Sequence, residues 1–221
     1  MSTKVLDPPN VHVIVLPGGD YTEHIPHEGG PVASWLRGLG IRASTFRYPL
    51  RVRHPEPLRA LQGEVRRLRS SGIERIGLMG FAAGGHLGGL AALASRDEPR
   101  TAIDFAVLGY AITSMEQESS GRARIVLLGE DASSELRRAT SLDNLVTRSS
   151  PPFFMWHTAE DTCVPPEHTY RLARSLSNHE VPHAVHIFEH GSHGLGLAQG
   201  SGNASAWRAL LLPWLVEQCL E

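Results

Sequence analysis

Leu78-Met79-Gly80-Phe81-Ala82-Ala83-Gly84-Gly85-His86 closes an apolar, strand-like run, Ile73 to Met79, and opens a helix of small residues, Ala83 to Ser95. Glycine at 80, 84 and 85 lets a strand turn sharply into a helix while backbone approaches backbone. This is the geometry of a nucleophile elbow, G-x-S-x-G, whose central residue sits strained and exposed at the end of the strand. The central residue here is Ala82, which has no nucleophilic atom. Taken alone, the turn is equally compatible with any α/β protein. It lacks the G-x-G-x-x-G spacing and the Lys-Ser/Thr pair of a P-loop, so a phosphate cradle is not expected.

Outward from this turn, strand signals recur at Val11 to Leu16, Ile41 to Tyr48, Ala102 to Tyr110, Pro152 to His157 and His183 to Glu189. Helical patterns separate most of them: Val32 to Leu39, Pro57 to Ser70, Ser133 to Ala139 and Pro166 to Asn178. A last helix, Ala204 to Leu220, is expected to break near Pro213. In Pro57 to Ser70, Leu58, Leu61, Val65 and Leu68 share one face, which leaves Arg66, Arg67 and Arg69 on a solvated one. Six strands alternating with helices predict an α/β fold with a mostly parallel sheet covered on both faces. Ligands then belong at the carboxyl ends of the strands.

Three further loops at those ends carry chemistry. The fifth strand is followed by His157-Thr158-Ala159-Glu160-Asp161-Thr162-Cys163-Val164-Pro165, and the sixth by Glu189-His190-Gly191-Ser192-His193-Gly194-Leu195-Gly196-Leu197. Asp161 lies 79 residues after Ala82, and His193 a further 32. The order elbow, acid, histidine is that of a hydrolase triad, in which the histidine takes the nucleophile's proton and the carboxylate holds its tautomer. After the first strand, Leu16-Pro17-Gly18-Gly19-Asp20-Tyr21 can aim backbone N–H groups at a developing oxyanion, with Ala83 as the second donor.

These pieces, together with Pro151-Pro152-Phe153-Phe154-Met155-Trp156 before the acid loop, resemble the small bacterial acetyl-esterase/lipase-like branch of the α/β-hydrolases, related to acetyl-xylan and feruloyl esterases. The resemblance spans nearly the whole chain. It implies a compact α/β-hydrolase fold that begins at the oxyanion-loop strand, with Asp161 as triad acid and His193 as general base. Gly19 or Asp20, with Ala83, would supply the oxyanion hole. Two departures stand out: Asp20 replaces the family's third glycine, and Ala82 replaces the nucleophilic serine. Loss of that serine lowers kcat by about 10⁶. Either a serine was exchanged to silence the enzyme, or the chain binds without turnover by nature; an otherwise complete site favours the first account. Cys163, on the acid's loop, is not expected to substitute.

The chain has 221 residues, 41% hydrophobic and 20% charged, with a net charge of −2, so it reads as one domain, 1–221, with a lid-like insertion around 114–150. There is no basic footprint for nucleic acid, no run of about 18 apolar residues for a membrane, and no apolar signal core between Met1 and Asn10. Two cysteines, Cys163 and Cys219, fit a reducing, cytoplasmic setting. A single lysine, Lys4, against 20 arginines reads as codon bias. His183, His186, His190 and His193 bunch together but lack the parity and partners of a metal site. Tyr21, His24 and Met115 are the candidate substrate-pocket residues, with Ile125, Leu127 and Leu128 in the insertion as further lining. Arg47, Arg51, Arg53 and His54 read as a solvated loop, and Trp207, Leu211 and Trp214 as core. The expected function is hydrolysis of a small, short-acyl ester through an acyl-enzyme, with no cofactor; a homodimer stays open. Amide hydrolysis and acyl transfer on the same scaffold are the alternatives, beside the non-catalytic binder.

Overall fold

The computed structural model describes residues 10–94 and 98–220. Lys4, most of the amino-terminal stretch and Ser95 at the end of the elbow helix lie outside the described residues. Six strands are present: β1 (Val11–Leu16), β2 (Arg42–Thr45), β3 (Arg75–Phe81), β4 (Phe105–Gly109), β5 (Phe153–Thr158) and β6 (His183–Phe188). They form one sheet in the order β2-β1-β3-β4-β5-β6, and every pairing is parallel. The helices are α1 (Gly30–Gly38), α2 (Glu56–Ser70), α3 (Ala82–Ala94), α4 (Gly121–Leu128), α5 (Ser134–Ala139), α6 (Glu167–Asn178) and α7 (Trp207–Leu220).

Strand parity divides the core into two layers, as period-2 alternation requires. Ile14, Leu16, Ile76, Leu78, Leu108 and Met155 pack with α2, α3 and α6 on one face. Val13, Val15, Met79, Phe81, Phe105 and Trp156 pack with α1 and α7 on the other. With both faces covered, the strands read as continuous apolar runs rather than alternating ones. The arginine face of α2 is only partly solvated: Arg69 donates to Asp104 Oδ2 (2.7 Å), which also accepts the amide of Ile76 (2.7 Å).

The chain steps from β1 outward to β2 and returns to β3 on the other side of β1, so the strand order reverses between β1 and β3. Loops leaving neighbouring strands in opposite directions open a crevice at that point. Register decides what meets there. Leu16 is paired with Gly80, so Gly18 is brought against Ala82, where a Cβ on Gly18 would lie 3.0 Å from the alanine's own.

Helix α7 runs through Pro213 without a break. Proline removes one hydrogen bond, to the carbonyl of Ala209, on the exposed side of the helix, where both residues lie. Trp207, Leu211 and Leu215 meanwhile seat both halves on the sheet. Helix α4 was absent from the sequence reading because its apolar residues follow no helical stripe. Trp207 stacks on Trp156 with ring centroids 5.0 Å apart, and both are fully buried. Trp207→Ala is expected to destabilise the fold by about 3–5 kcal/mol, read as a lowered urea midpoint with secondary structure retained below the transition.

Candidate active site

Asp161 and His193 meet at the carboxyl ends of β5 and β6. The Asp161 side chain is fully buried, and Oδ1 accepts the amides of Cys163 (3.0 Å) and Val164 (2.9 Å). Its Oδ2 accepts Nδ1–H of His193 at 2.6 Å, with His157 Nε2 at 3.3 Å. Burial alone would raise this carboxyl's pKa; hydrogen bonds from His157, His193 and Val164 outweigh it and hold the group well below the usual carboxylate range. His157 is itself pinned, donating through Nε2 to Val164 O (2.7 Å) and accepting from Thr169 Oγ1 (2.8 Å).

With Nδ1 committed to Asp161, His193 presents Nε2, which has no partner among the described residues. Its side chain is 23% exposed, and the ring stands edge-to-face on Tyr110 with centroids 5.0 Å apart. The loop bearing it is tethered on both sides. Thr158 Oγ1 donates to Gly191 O (2.8 Å), His27 Nε2 to Gly194 O (2.7 Å), and the Gly196 amide to Tyr110 Oη (2.8 Å).

Ala82 opens α3 with φ +46°, a left-handed conformation that β-carbon-bearing residues rarely adopt. The flanking glycines make this turn feasible. A Cβ on Gly80 would run into the Gly84 backbone, and one on Gly84 into the carbonyls of Leu16 and Pro17. Ala82 and His193 share a cleft of about 310 Å³ with Gly19, Asp20, Glu23, Ile25, His27, Glu28 and Gly194. Around the loop that follows β1, Tyr48 Oη donates to Pro17 O (2.7 Å), Ile25 N to Gly18 O (3.1 Å), and Thr22 N to Gly19 O (2.9 Å). The amides of Gly19, Asp20 and Ala83 donate to no acceptor among the described residues. His193, oriented by the buried Asp161, therefore faces one cleft with Ala82 and with Gly19 and Asp20, whose amides are unspent, which puts a proton acceptor and free N–H donors beside residue 82.

None of the three expected pocket residues lines this cleft. Tyr21 is fully buried, its hydroxyl 2.6 Å from His86 Nδ1. Met115 is fully buried and packs into the core from the 114–150 segment together with Leu127 and Leu128, while Ile125 is exposed. His24 stands edge-to-face on Tyr48 and lines a separate depression with Pro17, Ile25 and Arg47. Each is one or two positions from a residue that does face the cleft, or on a connection whose direction is set by packing. Asp20 does face it, and Arg122 of α4 comes within 3.9 Å of its carboxylate. Arg53 belongs to no free loop: its guanidinium donates to the carbonyls of Ile125 and Val126 (2.6 Å for the second). The sequence reading passed over Glu28 and Tyr110. Glu28 is 1% exposed and accepts both the Gly18 amide and the Tyr110 hydroxyl, each at 2.7 Å. An acid in a Pro- and Gly-rich connection carries no sequence signal of burial.

Comparison with known proteins agrees with this architecture. Residues 69–176 match the BD-FAE family. The crystal structure of an acetyl ester-xyloside bifunctional hydrolase from Caldicellulosiruptor lactoaceticus superposes with a TM-score of 0.89 at 35% identity, covering 97% of this chain and 86% of that one. The chain belongs to the esterase branch of the α/β-hydrolases. A carboxylesterase from Lactobacillus plantarum WCFS1 shares the fold at 28% identity and a TM-score of 0.80, over 96% of this branch member and 86% of its own chain. An acetylxylan esterase of Xylanibacter ruminicola is 27% identical over 199 residues, 83% of this chain and 41% of that protein. An endo-1,4-beta-xylanase B of Butyrivibrio fibrisolvens is 28% identical over 206 residues, covering 84% and 32%. The chain thus spans well under half the length of these two curated relatives.

Two histidines near the site are buried as neutral rings. His86 donates from Nε2 to Thr140 O (2.8 Å), so Nδ1 accepts from Tyr21, and burial lowers its pKa to about 4. His168 Nδ1 accepts the amides of Thr113 (3.1 Å) and Ser114 (3.3 Å); burial, with nearby positive charge, lowers it to about 4 as well. On unfolding, both regain an ordinary pKa of about 6.5 and bind protons that the folded state excludes. Their stabilising contribution is therefore complete above pH ~6.5 and is lost as pH falls toward 4. Each should cost on the order of 1 kcal/mol per pH unit in that window. A urea midpoint that stays level between pH 7 and pH 5 would contradict this assignment.

Proposed function

We propose that this chain carries the site of a serine-type carboxylic ester hydrolase for a small, short-acyl ester, with alanine standing where the nucleophile belongs. The observation that carries the proposal is the convergence of the Asp161-oriented His193, the left-handed Ala82 and Gly19, whose amide is unspent, on one cleft, with the unspent Ala83 amide next in the chain to Ala82. With serine at 82, Oγ would attack the ester carbonyl as His193 Nε2 takes its proton. Asp161 holds Nδ1–H and steadies the imidazolium. The amides of Gly19 or Asp20 and of Ala83 would receive the oxyanion, each such donor being worth about 3 kcal/mol in the transition state. Collapse expels the alcohol with the proton from His193, leaving an acyl-serine. Water, deprotonated by the same nitrogen, then releases the acid.

A cleft of about 310 Å³ suits a short acyl group, and relatives named for acetylxylan and acetyl ester-xyloside substrates support acetyl as that group. Nothing in this sequence of steps requires a cofactor. The segment 114–150 would cap the alcohol side, since Arg122 of α4 reaches Asp20 on the cleft wall. No helix among the described residues is long and apolar enough to cross a membrane. The free Cys163 and Cys219 support a reducing, cytoplasmic setting. We read Ala82 as a single exchange that silences a complete site, because a lineage released from catalysis would have no reason to retain the Asp161–His193 pair.

Hydrolysis of 4-nitrophenyl acetate by this chain and by Ala82→Ser, side by side, tests the reading. Ala82→Ser is expected to gain several orders of magnitude in kcat, toward the ~10⁶ that a missing nucleophile costs. Adding His193→Ala should remove that gain. No gain with this ester or with an acetylated xyloside would refute the hydrolase assignment and leave a binding role.

A further inference from the structure

Glu28 is a buried carboxylate with no cation beside it among the described residues. It ends a short 3-10 turn, Pro26–Glu28, ahead of α1, and it forms part of the floor of the cleft. Its two oxygens have different tasks. Oε2 accepts the amide of Gly18, in the oxyanion loop, at 2.7 Å. Oε1 accepts the hydroxyl of Tyr110, just past β4, at 2.7 Å. Tyr110 Oη in turn accepts the amide of Gly196, in the histidine loop, at 2.8 Å, and its ring supports the face of His193. Burial first, then the charge of Glu28, pushes the Tyr110 phenol well above its ordinary range, so the hydroxyl keeps the proton it donates.

Three segments are thus joined through two side chains in series, Glu28 and Tyr110. Gly18 lies 10 positions before Glu28, Tyr110 lies 82 after it, and Gly196 a further 86. A backbone amide donating to an ionised carboxylate makes a shorter and stronger bond than one donating to a neutral oxygen. The same oxygen lies 2.8 Å from where a Cβ on Gly18 would stand, next to Ala82. Displacing Gly18 would move the Gly19 and Asp20 amides with it. Displacing Gly196 would move His193, three residues away.

We infer that Glu28 is a positioning residue: its carboxylate holds the oxyanion loop at Gly18 and, through Tyr110, the histidine loop at Gly196, fixing the free amides and His193 Nε2 relative to one another across residue 82. Its kinetic consequence rests on the esterase reading above; its structural content does not. Chemistry of this kind is sensitive to placement, and a shift of about 1 Å can cost 10²-fold in rate.

The test has two arms. In the Ala82→Ser background, Glu28→Gln and Tyr110→Phe are compared singly and together on 4-nitrophenyl acetate. Glutamine supplies one acceptor oxygen where two donors need one each. Glu28→Gln is expected to lower kcat about 10- to 100-fold with KM changed less than about threefold. Tyr110→Phe, which keeps the ring, should lower it less, and the double variant should be no worse than Glu28→Gln alone. An unchanged kcat, or effects that multiply, would overturn the inference. The second arm uses the 15N-labelled chain with Ala82 in place and needs no activity. Glu28→Gln should move the amide resonances of Gly18, Gly19 and Gly196 together, and Tyr110→Phe should move Gly196. Gly19 and Gly196 resonances that stay in place would overturn the inference. If Ala82→Ser is inactive while these amides move, the esterase reading fails and the positioning role stands.

Discussion

At the carboxyl ends of β1 and β3, the carbonyls of Leu16 and Pro17 occupy the volume that any side chain on residue 84 would need. That approach follows from strand order and register together. The strand order reverses between β1 and β3, and Leu16 is paired with Gly80. The strand after Gly80 therefore turns beneath the first loop, forcing Ala82 into a left-handed conformation at the wall of the cleft. Glycine at 80 and 84 leaves the backbone room for the two loops to approach this closely.

Charge at the site is arranged around the same gap. Asp161 remains ionised although buried, because two amides and two imidazoles saturate its oxygens. Glu28 is buried with two neutral donors, one from each side of the cleft. Taking a carboxylate out of water is expensive unless its lone pairs are met, and at both positions they are. Each buried acid consequently acts as a fastening point: Asp161 for its own loop and His193, Glu28 for the loop after β1 and Tyr110.

The segment between β4 and β5 is fastened by side chains that do no chemistry. His86 on α3 reaches Thr140 O, His168 on α6 accepts the amides of Thr113 and Ser114, and Arg53 binds carbonyls in α4. Neutral imidazoles suit this task because each ring offers one donor and one acceptor at fixed positions. The segment is tied to the helices behind the cleft, and from there Arg122 extends toward Asp20 at its rim.

The amino-acid sequence by itself determined the six-strand α/β architecture, the elbow at 80–85, and the pairing of Asp161 with His193. These depend on local information: apolar runs of strand length, glycines at a turn that admits nothing else, and an acid and a histidine each placed just past a strand end. The first strand, Val11–Leu16, is matched at both ends while other elements shifted by a residue or more at one end or both, and Pro213 did not break α7, because packing on the sheet overrode a local preference. Only the tertiary structure decided which polar and aromatic residues face the cleft. Tyr21, at the end of the loop after β1, and His24 beyond it turn away into the core and a side depression, and Met115 is buried within the core. Glu28 reads as one acid among 23 acidic residues until Tyr110, 82 positions later, supplies its second donor. Burial of a charge depends on partners that only the folded chain brings together, and no window of sequence contains both.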